Sequence, residues 1–148
     1  AGTAALLFAG DPIACPDAVT AFDYDARDMG RVTDAALLPD GRVLLLHRKV
    51  GPLRGWRSTL AIADPAAIGA GAIWRSEPLA RIAGYALAEN YEGLAISGSG
   101  AATRIWLLSD DNFNGLQRTL LLGLDWPQGP RTSERPRAPR VPGPSRCR

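Results

Sequence analysis

The chain reads as an all-β protein built of antiparallel four-stranded blades, a partial β-propeller with a disordered C-terminal tail. Three observations predict this. Short apolar runs of strand length alternate with Gly-, Pro- and Asp-rich turn signals throughout. A pattern of about 60 residues recurs, the period expected of propeller blades. Apolar content then stops abruptly after Trp126. Residues 1–127 accordingly hold about two blades and part of a third, and residues 128–148 form the tail.

Thr3 to Ala9 is small and apolar and ends at Gly10-Asp11-Pro12, a strand followed by a turn. Val19 to Tyr24 alternates weakly and gives a second strand. Thr33 to Leu38 and Arg42 to His47 flank Pro39-Asp40-Gly41, the signature of a hairpin. Arg48 to Trp56 is expected to be a basic, glycine-rich loop, and Ser58 to Ala63 a third strand. Ile73 to Arg75 and Leu79 to Ala83 are read as one outer strand interrupted at Pro78. A second meander follows, with a strand descending from Glu92, a connection over Ser97 to Thr103, a strand from Arg104 to Ser109, and a last run ending at Asp125-Trp126. Laying one segment on the other puts Asp34 on Glu92, Arg42 on Arg104, His47 on Ser109, Arg57 on Arg118 and Asp64 on Asp125. Two isolated antiparallel sheets in an ordinary sandwich are the alternative to blades.

The formal net charge of +2 hides an asymmetry. Gln128 to Arg148 carries six Arg against one Glu, whereas the preceding chain has eleven Lys and Arg against fourteen Asp and Glu. The tail, with five prolines, cannot repay the entropy of ordering and is expected to be disordered. It lacks the interleaved aromatics of a nucleic-acid binder, and no nucleic-acid partner is expected. Contact with an anionic surface is one reading of it; translation of a shifted reading frame is the preferred one. Cys15 and Cys147 lie at opposite ends and are not expected to pair. No run is long and apolar enough for a membrane span. The first residue is Ala, so an upstream portion, including any export signal, is expected to be missing.

Strand direction organises the chemistry. If the second meander runs up and down, Asp110, Asp111 and Asn112 arrive on the rim from which Glu92 departs. Three carboxylates and an amide at one sheet end suit a hard cation, calcium above all, since it takes several oxygen ligands in irregular geometry. Glu92 and Asp111 are the catalytic candidates. The competing reading of the Asp110 to Asn112 turn has these side chains bonding their own backbone. Arg48, Lys49 and Trp56 are the candidate substrate-binding residues, the cations for a phosphate or carboxylate and the indole for stacking; a solvated loop is the alternative. His47, the sole histidine, ends an apolar strand and reads as structural. With one histidine there is no zinc set, and no serine sits in a Gly-x-Ser-x-Gly elbow. Asp23, Asp25 and Asp28 lack the central Gly and closing Glu of an EF-hand.

Val32-Thr-Asp-Ala-Ala-Leu-Leu-Pro-Asp-Gly-Arg-Val-Leu-Leu-Leu, Asn90-Tyr-Glu-Gly-Leu-Ala-Ile, and Ser109-Asp-Asp-Asn-Phe-Asn with Gln117-Arg-Thr-Leu-Leu-Leu together resemble the C-terminal portion of the phytase-like, esterase-like domain family of bacterial proteins. The similarity runs roughly from Leu6 to Trp126. It implies a β-propeller around twice this length, often exported, which would make the protein periplasmic or secreted and leave this chain short of the blades needed for closure. Glu-Gly-Leu-Ala is also similar to the metal-ligand entry strand of gluconolactonase-type lactone hydrolases. On that resemblance Glu92 is the entry glutamate, Asp34 holds the equivalent place one blade earlier, and the Asp110-Asp111-Asn112 turn is shared. The expected activity is divalent-metal-dependent hydrolysis of a small ester, lactone or phosphoester. A non-catalytic propeller scaffold, or an inactive fragment, is the alternative.

Overall fold

The computed structural model describes residues 2–51, 55–84 and 87–126. The expectations for the tail and for Cys147 lie outside them. Ten strands follow one another: β1 (Thr3–Phe8), β2 (Val19–Asp25), β3 (Arg31–Leu37), β4 (Val43–Gly51), β5 (Gly55–Ala63), β6 (Ile73–Arg75), β7 (Glu77–Ile82), β8 (Tyr91–Ser97), β9 (Arg104–Ser109) and β10 (Leu121–Asp125). Among the described residues the remaining regular structure is two single 3-10 turns, so the all-β expectation holds.

The strands form three sheets, in the orders β1-β2-β6, β3-β4-β5-β7 and β10-β9-β8. The middle sheet is a four-stranded antiparallel meander, as the turn signals required. It is covered on both faces. Leu44, Leu46, Leu60 and Ile82 pack with Tyr91, Ile105 and Leu107 of the last sheet. Leu45 and Ala63 pack with Phe22, Tyr24 and Trp74 of the first. Successive strand residues point to opposite faces, so burial of both explains why β4 opens with an unbroken run, Val43-Leu-Leu-Leu, instead of an alternating one.

Two element expectations are corrected. Arg48 to Trp56 is largely strand, because β4 and β5 stay paired through Lys49 with Arg57, Val50 with Trp56 and Gly51 with Gly55. Ile73 to Arg75 and the run beyond Pro78 do not share a strand. β6 pairs with β2, and in parallel, whereas β7 runs continuously through Pro78 as the outer strand of the middle sheet. An outer position suits proline, whose missing N–H would break a central ladder. Cys15 is also disulfide-bonded, against the expectation of an unpaired thiol.

The repeat is confirmed for the second and third strands of each meander and shifted by one residue in the first. Val32 pairs with His47 and Tyr91 with Ser109; each strand then skips one residue before pairing resumes at Asp34 with Leu46 and at Gly93 with Leu108. Thr33, not Asp34, is therefore the counterpart of Glu92. Matching bulges in β3 and β8 cause the slip, and a bulge adds a residue that leaves no mark in apolar periodicity.

Candidate functional site

The bulges place side chains between neighbouring sheets. The hydroxyl of Thr33 reaches both the Leu46 carbonyl, at 3.3 Å, and the Tyr91 carbonyl, at 3.2 Å. Asp34 accepts from the N–H of Leu94 at 2.6 Å and from that of Ala35 at 2.7 Å. Asp34 thus fastens β3 to β8. Its carboxylate is engaged with main-chain donors of two sheets rather than presented to a ligand.

One rim gathers the polar chemistry. Asn90 precedes β8 and Asp110 follows β9, and the Asp110 N–H donates to the Asn90 carbonyl at 3.0 Å. Glu92, just inside β8, accepts from Arg48 Nη1 and, at 3.2 Å, from the side-chain amide of Asn90. Arg48 Nη1 also donates to Asn90 Oδ1, and its guanidinium lies 5.1 Å from the centre of the Trp56 ring. Asn90 is fully buried, while the Glu92 side chain keeps 40% of its surface in solvent and that of Arg48 24%. The result is a carboxylate held by one cation and one amide at a partly open mouth, with an indole alongside. Ser58, opposite Arg48 across the β4–β5 pair, is buried with a hydroxyl that lacks a partner among the described residues, as is the hydroxyl of Tyr91. Burial pushes the Tyr91 phenol above its ordinary value, and the carboxylate of Glu89 pushes the same way.

Glu92, Arg48 and Trp56, proposed from sequence, therefore meet. Asp110, Asp111 and Asn112 stand on the same end of the sheet but are used locally. Asp110 accepts from the N–H of Asn112, and Asp111 from that of Phe113 and from the Thr119 hydroxyl. Asn112 donates to Gln117, with φ of 51°. That is the self-bonded turn. Among the described residues no three His, Cys, Asp or Glu side chains are grouped to hold a metal ion. Of the residues proposed from sequence to hold calcium, Glu92 faces a guanidinium, Asp110 accepts one N–H, and Asp111 accepts an N–H and a hydroxyl. Lys49 also leaves the rim. It lies on the opposite face from Arg48 and donates to the Asp28 carbonyl at 3.0 Å.

Sequence reasoning missed Asn90 and Glu89. Glu89 is buried and accepts from Arg118 Nε at 2.6 Å and from the Arg118 N–H at 3.2 Å, which ties the start of β8 to the loop after β9. The signal available was a buried-type Tyr flanked by Glu-Asn and Glu at the mouth of a strand.

Mainly antiparallel sheets packed face to face, with a charged and aromatic rim at one end, define an all-β protein whose polar chemistry is mounted on strand ends. Residues 2–113 match the phytase-like family model, described as esterase-like activity of phytase, and the chain belongs to that family. No curated protein and no solved structure matches it.

Proposed function

We propose that the chain forms part of a propeller hydrolase acting on a small ester, lactone or phosphoester at the rim of β4 and β8. The observation that carries this is the half-exposed carboxylate of Glu92, oriented by Arg48 and Asn90 beside the Trp56 ring. The family's esterase-like description supports the same reaction class. In this reading Glu92 takes a proton from water as the water oxygen bonds to the acyl carbon or phosphorus. The bond to the leaving oxygen breaks, and the proton passes to the departing alcohol. Arg48 balances the negative charge that builds on the reacting oxygens, and Trp56 packs against the substrate body. The face-to-face sheets and the matching bulges support reading them as successive blades of a propeller, and a periplasmic or secreted location goes with that reading.

Hydrolysis of nitrophenyl acetate and nitrophenyl phosphate tests this. Glu92→Gln should lower kcat by about 100-fold or more, and Trp56→Ala should mainly raise KM. Full activity in Glu92→Gln would overturn the proposal. Asp111→Asn should leave kcat nearly unchanged, since its carboxylate holds the turn. Calcium activation remains a separate proposal in which the ion displaces Arg48 from Glu92. It predicts a calcium-dependent rise in Tm that disappears in Glu92→Ala. A non-catalytic scaffold predicts neither activity nor metal response.

A further inference from the structure

The middle sheet carries a second cationic cluster, on the face opposite Arg48. Lys49 stands directly across from Arg57, and Thr59 directly across from Arg81. Strand alternation places all four on one face. Like charges paired across strands destabilise a sheet unless something offsets them. Here the protein supplies little. Among the described residues Arg57 and Arg81 take part in no ion pair. The Nε of Arg57 is buried without an acceptor among the described residues, an arrangement that costs free energy unless a ligand completes it. Lys49 is fastened to a main-chain carbonyl rather than to a carboxylate. Met29 and Asp28, from the turn between β2 and β3, close over these residues and leave a cavity of about 40 Å³. That exceeds the room one water needs. Among the described residues three cations line it against the single carboxylate of Asp28.

We propose that this cavity binds a small tetrahedral oxyanion, inorganic phosphate or the phosphate group of a monoester. Arg57 and Arg81 donate to its oxygens in forked geometry, and Lys49 supplies a point charge. The site is separate from the rim and does not rest on hydrolysis there.

Isothermal titration of the chain with inorganic phosphate at constant ionic strength, against a chloride control and then with phenyl phosphate, tests it. Saturable binding of inorganic phosphate is expected, weakened tenfold or more in both Arg57→Gln and Arg81→Gln and retained in Arg48→Gln. Binding of inorganic phosphate alone assigns the free ion, and binding of both ligands assigns the monoester group; either supports the site. Near-UV circular dichroism checks each variant, and Arg81→Lys, which keeps the charge, should recover part of the affinity. Absence of saturable binding by either ligand overturns the proposal. So does undiminished binding in both glutamine variants, or loss confined to Arg48→Gln, which would put the anion at the rim.

Discussion

His47 is the residue whose placement carries the clearest pH signature. It is fully buried, its Nε2 lies 2.8 Å from the Tyr24 hydroxyl, and that hydroxyl is 2.5 Å from Ser76 Oγ. Burial pushes the imidazole below its ordinary value, only partly opposed by the Gly30 carbonyl. A lowered folded value means that the unfolded chain binds the proton first. Stability is therefore fully present above the unfolded value of roughly 6.5 and falls as the pH drops through it. Urea unfolding between roughly pH 5.5 and 7.5 should show this decline, and His47→Gln should flatten it. Tyr24→Phe strands two buried polar groups and should cost about 1–3 kcal/mol, read as a lower urea midpoint at an unchanged slope. From sequence the sole histidine reads as structural, and the structure buries it; Glu92 reads as a candidate site residue, and the structure leaves it half-exposed. The pairing of Glu92 with Arg48 was not legible, because the two lie on strands of different sheets and no local spacing relates them.

Strands and their partners set the next level. Asp34 holds the edge of β8 through the Leu94 N–H, so Asp34→Ala leaves that donor without its partner. The expected loss is about 1–3 kcal/mol, with faster hydrogen exchange at Leu94 than in the rest of β8. Gly30, at φ of 96°, enters β3 where a Cβ would run into the Arg48 carbonyl. Gly30→Ala should destabilise by at least about 1 kcal/mol and should disturb the Arg48 contacts at the rim along with the fold. The hairpins were legible because Pro39-Asp40-Gly41 and the flanking apolar runs encode a local turn. The extent of β4 and β5 was not, since Arg48, Lys49 and Arg57 look like loop residues until one sees that the rim end of the hairpin is solvated. The bounds of β6 were legible but its partner was not, since the placing of three residues in a parallel pair with β2 depends on tertiary structure alone. The Thr33 and Glu92 equivalence was hidden for the same reason, as each bulge exists only in the pairing.

For the whole molecule the question is which surfaces stay uncovered. β1 and β10 each pair on one side only among the described residues. Leu6 and Leu7 on β1 are 62% and 46% exposed, and Leu121 on β10 is 67% exposed. Unprotected strand edges with apolar side chains invite pairing between chains. Size-exclusion chromatography should therefore show concentration-dependent self-association, shifted towards the monomer by Leu7→Lys with Leu121→Lys. A single monomer peak at every concentration would count against it. No helix among the described residues is long and apolar enough to cross a membrane.

The short strand β6 has an evolutionary corollary. Between leaving β5 and entering β7 the chain detours to lie beside β2, so the first sheet contains a strand drawn from the middle sheet's segment. A duplication copying residues 31–82 would carry a strand that belongs to the preceding unit, and an excision of the same residues would rob that unit of its edge. Recombination between relatives should then be tolerated best where the cut falls between 83 and 90, after the last stitch and before the next inner strand begins.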